Sequence, residues 1–262
     1  MIHSFRKGSG KKGWIVISHG LGEHIGRYEK LMNNLIDGDF GVIGFDLPGH
    51  GNSERKRGHA SIEEVIEIIN SLTKDLEEFH IFGHSLGGLI AIRYAQENIN
   101  RIKTLVVSSP ALYLKPSFAQ KLLMNIFNVI YPSLTIKNGI DPYLLSRNKE
   151  AVEKYINDNL VHDRISIKLG KSLLQNIQLA HQKAKVLTKP TMILVGTEDK
   201  VTPPIGSYSF FEKLGVPDDK KVLKKYEGAF HEIFEDPEHQ QKFYQDIFEW
   251  YESFGGEFNE NR

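Results

Sequence analysis

The chain has 262 residues, 40% of them hydrophobic and 25% charged, enough for one large domain or a domain with a sizeable insertion. Its 33 basic and 33 acidic side chains give a formal net charge of zero, so the charge balance lends no support to a nucleic-acid partner. There are no cysteines, which excludes disulfides, thiolate metal sites and cysteine nucleophiles.

The first segment, MIHSFRKGSGKKGWIVIS, is basic but has no uninterrupted apolar run before a small-residue cleavage site, so it does not read as a signal peptide. A cytoplasmic protein is the expectation. WIVIS (14–18) then opens a series of short Val/Ile-rich runs: GVIGFD (41–46), HIFG (80–83), TLVVSS (104–109), TMILVG (191–196) and KVLKKY (221–226). Unbroken apolar runs of this length predict strands buried on both faces, as in a parallel sheet covered by helices. Helical patterns fill the gaps. RYEKLMNNLI (27–36) carries an apolar stripe, and SIEEVIEIINSL (61–72) begins with a capping box of Ser61 and Glu64. Residues 87–98 and 236–254 follow, the latter with Asp236 as cap and Pro237 at the first helical position.

Between about 110 and 185 the strand rhythm breaks. Helical segments are predicted near 117–131, 149–157 and 164–184. The simplest organisation is a core of residues 1–110 and 186–262 with a helical cap of residues 111–185. The cap would lie over the C-terminal edge of the sheet, where α/β ligand sites form.

The segment GHSLGG (83–88) sits between the run FHIF and the helix LIAIRYAQ. Gly83, Ser85 and Gly87 make a G-x-S-x-G pattern in strand–turn–helix context, the setting of a nucleophile elbow. The helix start behind Ser85 offers N–H groups to a developing oxyanion. A serine hydroxyl needs a base, and the order serine, acid, histidine places both partners downstream. Asp199 follows the strand TMILVG, with Glu198 beside it as the alternative acid. His231 lies beyond the last strand, with His239 as the alternative base inside the final helix pattern. Ser85, Asp199 and His231 thus come from three strand ends at one edge of one sheet, in the roles of nucleophile, orienting acid and base.

These segments resemble the monoacylglycerol lipase and lysophospholipase group of the α/β-hydrolases. Besides GHSLGG, the residues that carry the resemblance are SHGLGEHIGRYEKL (18–31), FDLPGHGNSERKRGH (45–59), VGTEDKVTP (195–203), GAFHEIFED (228–236) and, in the cap, LLSRNKEAVEKYINDNLVHDRIS (144–166). The resemblance runs from about residue 14 to 250. It implies an α/β-hydrolase fold, a mostly parallel sheet flanked by helices, with the helical cap inserted after the sixth strand. It also implies an oxyanion hole from the backbone N–H groups of Leu21 and Leu86, and contact of Glu23 and Arg27 with the glycerol end of a substrate. A structural ion pair between Glu23 and Arg27 under the cap is the competing reading. Members of the group place two antiparallel strands before the His-Gly strand. Here IHSFR supplies one at most, so a shortened N-terminal sheet edge is expected.

The implied activity is serine carboxylester hydrolysis of monoacylglycerols or similar single-chain esters. Alternatives are a lysophospholipase or short-chain carboxylesterase, a serine peptidase or amidase, and a non-catalytic binding protein on the same fold. No cofactor is expected. GxGxxG spacing is absent at the first strand turn, and the pairs His19/His24 and His80/His84 lack the H-E-x-x-H arrangement of a metal site. Asp46, Arg55 and Arg57 read as loop scaffolding. The expected partner is a lipid or ester substrate, with no required protein partner. The apolar stretch LLMNIFNVIYPSLTI (122–136) would line an acyl tunnel or touch a lipid surface in passing.

Overall fold

In a computed structural model, residues 1–114, 127 and 129–255 are described. A seven-stranded sheet takes the order β1-β3-β2-β4-β5-β8-β9. Its strands are β1 (Ser4–Gly8), β2 (Trp14–Ser18), β3 (Gly41–Phe45), β4 (Phe79–His84), β5 (Ile102–Ser108), β8 (Thr191–Gly196) and β9 (Lys221–Tyr226). β1 is antiparallel to β3. All the other neighbours are parallel. One antiparallel strand therefore precedes the His-Gly strand β2, as the short N-terminus requires. The large insertion follows β5, the fifth strand of the chain. The expected position after a sixth strand is thus corrected to the fifth, because the segment before β2 supplies one strand, β1.

The apolar runs are buried because both faces of the sheet are covered. Val16, Ile43, Ile81, Leu105, Val107 and Ile193 face one core together with α2 (Ile62–Leu72) and α3 (Leu86–Glu97). Their alternating neighbours Ile15, Ile17, Val42, Phe82, Val106 and Met192 face a second core with α1 (Glu29–Asp37) and the last helix (Gln240–Phe254). Period-2 alternation across a sheet with two apolar faces makes the central strands predominantly apolar, with only a few buried polar residues such as His80 and Thr104 among them. Truncating such a residue, for example Ile81→Ala, costs about 2–5 kcal/mol.

Of the two helix starts marked by a capping residue in the sequence, one holds and one shifts. Ser61 is the N-cap of α2 and accepts from Glu64 N–H at 3.4 Å. At the last helix, Asp236 Oδ1 accepts from Glu238 and His239 N–H, both at 3.1 Å. That capped turn precedes the helix proper, which begins at Gln240 rather than at Pro237. The Asp236 carboxylate is also held by Arg147 Nε and Nη2, each at 2.8 Å.

Between β5 and β8 lie α4 (Lys149–Ile156) and α5 (Ile167–Gln182), close to the helices expected at 149–157 and 164–184. Two short strands, β6 (Thr135–Lys137) and β7 (Arg164–Ser166), pair antiparallel in this insertion. The sequence reading did not anticipate them, because three-residue strands with mostly unburied side chains carry no apolar run. The helix expected near 117–131 falls mostly outside the described residues. Of that range Phe127 and residues 129–131 are described, and Tyr131 N–H donates to Phe127 O at 2.7 Å. The insertion is stitched to the core loops: His162 N–H donates to Gly22 O at 2.8 Å, Ser166 N–H to Gly58 O at 2.9 Å, and His24 Nε2 lies 2.8 Å from Asp158 Oδ2. No helix among the described residues is long and apolar enough to cross a membrane.

Candidate active site

Ser85 stands between the end of β4 and the start of α3, at φ 55° and ψ −119°. A non-glycine residue there is strained by about 1–3 kcal/mol and persists only where its surroundings enforce it. They do: Ser85 N–H donates to Ser108 O at 3.0 Å, and Ser85 O accepts from Ala111 N–H at 3.0 Å and Leu89 N–H at 3.1 Å. The flanking glycines allow strand and helix to close together. A Cβ on Gly83 would lie 2.1 Å from Gly87 O, and one on Gly87 would lie 2.1 Å from Ser18 O. The small residues of GHSLGG are therefore dictated by backbone contact.

His231 and Asp199 come together from the loops after β9 and β8. His231 Nδ1 lies 2.8 Å from Asp199 Oδ2, and both residues are buried. The alternative acid Glu198 is exposed, and the alternative base His239 places Nε2 2.8 Å from the carbonyl of Glu227. Asp199 Oδ1 accepts from the N–H groups of Val201 at 2.8 Å and Thr202 at 2.9 Å. Burial pushes the Asp199 carboxyl upward, but the neighbouring His231 and these hydrogen bonds outweigh it and lower its pKa. At His231 burial disfavours the cation, yet Asp199, then Glu232 and Glu23, outweigh it and raise the imidazole above its ordinary value. The adjacent His84, 4.7 Å ring to ring from His231, is driven the other way to about 3, by burial first and by His231 second.

Ser85 and His231 line one small cavity together with Gly20, Leu21, Glu23, Tyr155 and Glu232. Among the described residues no hydrogen bond joins Ser85 Oγ to the ring. Such contacts often tighten only when substrate binds. On its other side Ser85 opens, with Leu21 and Leu86, into a cavity of about 660 Å³. Ala111, Ile165, Ile167, Leu173, Leu174 and Val201 supply much of its apolar wall. Leu86 is the first residue of α3, whose leading N–H groups have no intrahelical acceptor.

Glu23 and Arg27 lie beside this centre, tied to each other and to a residue the sequence reading did not single out. Arg27 Nη1 is 2.6 Å from Glu23 Oε2, and its two terminal nitrogens reach Glu232 Oε1 and Oε2 at 2.7 and 2.8 Å. Glu23 Oε1 accepts from Gly20 N–H at 2.5 Å and from Tyr28 Oη–H at 2.7 Å. Burial works against the Glu23 anion, but Arg27 beside it prevails and holds the carboxyl well below the usual range. Glu232 directly follows the candidate base, and that adjacency was its only signal in the sequence. Asp46 accepts from the N–H groups of Ile25 and Asn52, each at 2.8 Å, and thereby joins two loops. His19 Nε2 accepts from Leu47 N–H at 2.9 Å, and its Nδ1 lies 2.8 Å from Gly20 O. Among the described residues no cluster of three or more His, Asp or Glu side chains could hold a metal ion.

Residues 9–238 match the family model described as serine aminopeptidase, S33. The crystal structure of the Paleococcus ferrophilus monoacylglycerol lipase superposes with a TM-score of 0.94, at 47% identity, over 97% of this chain and 99% of that one. The chain belongs to this α/β-hydrolase family, in its monoglyceride lipase group. Human monoglyceride lipase is 34% identical over 251 residues, 91% of this chain and 82% of that protein. Phospholipase YtpA of Bacillus subtilis is 34% identical over 239 residues, 87% of this chain and 91% of that one. An abhydrolase domain-containing protein of Dictyostelium discoideum is far longer, and the chain spans 26% of it at 32% identity.

Proposed function

We propose that this ester hydrolase cleaves monoacylglycerols or similar single-chain acyl esters through Ser85, His231 and Asp199. One observation carries the reading: Ser85 lines an apolar cavity of about 660 Å³ and also the small recess that it shares with His231, Glu23 and Glu232. The large cavity suits one acyl chain. Burying each methylene is worth about 0.8 kcal/mol, so chain burial supplies a large part of substrate binding.

In this mechanism Ser85 Oγ bonds to the acyl carbon as its proton passes to His231 Nε2. The oxyanion that forms is met by the N–H groups of Leu21 and Leu86. The carbon–oxygen bond to the alcohol then breaks, and His231 returns the proton to the leaving oxygen. Water attacks the acyl-enzyme in the same way, releasing the fatty acid and restoring Ser85. Asp199 holds the Nδ1–H tautomer that leaves Nε2 free to act as base.

The family description would also suit a peptidase, but a peptide's α-amine needs an unpaired carboxylate near the scissile bond. Glu23 and Glu232 are both engaged by Arg27. A lysophospholipid is the second substrate class, favoured by the likeness to phospholipase YtpA, and its single chain fits the same cavity. Contact with a lipid surface during substrate uptake is supported by Val129, Ile130 and Tyr131 of the insertion, which are 80%, 58% and 59% exposed.

The test is a hydrolysis panel of monoacylglycerols of graded chain length, lysophospholipids, diacylglycerols and peptide amides, with fluorophosphonate labelling of the wild type and Ser85→Ala. Turnover of single-chain esters and label on Ser85 alone are expected. Label retained by Ser85→Ala, or preference for the amides, would refute the proposal.

A further inference from the structure

Thr202 lies three residues beyond Asp199, and its hydroxyl touches three groups of the triad's surroundings. Oγ1 is 2.8 Å from Asp199 Oδ2, 3.1 Å from His231 Nδ1 and 2.9 Å from Ser109 O. The residue is buried. Its position is enforced from the neighbouring strand end. Ser109, itself at φ 43°, donates its N–H to Leu194 O and its Oγ–H to His231 O, both at 2.8 Å. Ser109 thus fixes the backbone of the base and meets the Thr202 hydroxyl through its own carbonyl.

A hydroxyl has one proton and can donate once. Two acceptors compete for it, the neutral Ser109 carbonyl and the Asp199 carboxylate. A hydrogen bond to an ionised acceptor is roughly twice as strong as one to a neutral acceptor. Without a proton between them, Thr202 Oγ1 and Asp199 Oδ2 would face each other lone pair to lone pair. With it, Asp199 accepts four hydrogen bonds: from Val201 N–H and Thr202 N–H at Oδ1, and from Thr202 Oγ1–H and His231 Nδ1–H at Oδ2.

We infer that Thr202 is a positioning residue of the triad, whose hydroxyl donates to Asp199 Oδ2 and so limits how strongly that carboxylate holds the protonated form of His231. The inference rests on the proposed assignment of His231 as base. The other groups around the imidazole are Glu232 on its own loop, Glu23 after β2, His84 at the end of β4, and Arg27, which is paired with both glutamates and offsets one of their two charges. Exchange of Thr202 leaves all of them in place.

The sign follows from the charge. Deleting the hydroxyl leaves Asp199 less stabilised by its other partners and a stronger acceptor for the imidazolium. His231 then loses its proton at a higher pH. In Thr202→Val, the pH at which His231 titrates, followed by nitrogen-15 NMR, should rise by about one unit, the equivalent of one charge-assisted hydrogen bond. The acid limb of kcat/KM should rise with it, about a tenfold loss at pH values below the limb and little change above it. Thr202→Ser, which keeps the hydroxyl, should restore the wild-type titration, and Thr202→Ala should reproduce the shift if the valine variant folds poorly. An unmoved or lowered His231 titration in the hydroxyl-less variants would overturn the inference and leave the hydroxyl bound to Ser109 O. The NMR titration does not depend on turnover, so absence of ester hydrolysis in the wild type would refute the proposed function without deciding the role of Thr202.

Discussion

Arg27 and Glu232 meet in a two-point ion pair, with nitrogen–oxygen distances of 2.7 and 2.8 Å, although they lie 205 positions apart in the chain. The guanidinium bonds Glu23 at the same time, and Glu23 in turn accepts from the Gly20 N–H. The loop that carries the candidate oxyanion donor Leu21 is thereby tied to the loop that carries His231. Arg27 also stacks on Tyr155 of the insertion, 4.7 Å from its ring centre.

From this arrangement, Arg27→Ala should destabilise the protein by about 3–5 kcal/mol, because it leaves two buried carboxylates without their cation. Thermal unfolding measures it. Turnover of glycerol esters and of p-nitrophenyl esters should fall together. A loss confined to glycerol esters would instead show that the guanidinium meets the glycerol end of the substrate.

Ser85→Gly and Ser85→Ala should both lower ester turnover by about 10⁵-fold or more, as removal of a triad nucleophile does elsewhere. Their stabilities should differ. Glycine adopts φ 55° without strain, so the glycine variant should unfold at the higher temperature of the two, by the equivalent of about 1 kcal/mol. An alanine variant more stable than the glycine one by the full entropic cost of glycine, about 0.5–1 kcal/mol, would mean that the elbow stores no strain.

Activity should rise with pH as His231 loses its proton, because only the neutral ring can act as base. Since Asp199, Glu232 and Glu23 together outweigh burial and raise His231, the midpoint should lie above the ordinary histidine value of about 6.5. Asp199→Asn should move His231 downward and lower kcat by about 10⁴-fold by disturbing the tautomer. A kcat/KM profile of both proteins checks the direction.

Leu174→Trp should fill part of the apolar cavity and shorten the longest acyl chain accepted. Each pair of methylenes excluded costs about 1.6 kcal/mol, roughly 15-fold in kcat/KM. Butyryl esters should be unaffected. A uniform loss across chain lengths would place the acyl chain elsewhere.

Much of the architecture could be read from local pattern. The runs WIVIS, TLVVSS and TMILVG became strands buried on both faces, and Gly83 and Gly87 of GHSLGG proved to be required by backbone contacts at 2.1 Å. The start of the last helix was read at Pro237, because Asp236 does cap, but it caps a separate turn before Gln240. The short pair β6 and β7 left no trace in the sequence, since strands of three mostly unburied residues need no apolar alternation. Glu232 carries no signal of its own in the sequence, because a glutamate beside a histidine looks like any loop residue until its partner is known.

The sequence by itself determined the two-faced parallel sheet, the turn at Ser85 and the candidate roles of Asp199 and His231, because apolar period, glycine spacing and position after a strand are local properties of the chain. The tertiary structure alone decided that Arg27 is shared between Glu23 and Glu232, that Ser109 O and Asp199 compete for one hydroxyl of Thr202, and that Ser85 lines both a large apolar cavity and the small recess beside His231. Those relationships depend on which charged and polar groups are desolvated together when distant loops converge, and no short-range periodicity encodes the identity of a partner a hundred or more residues away.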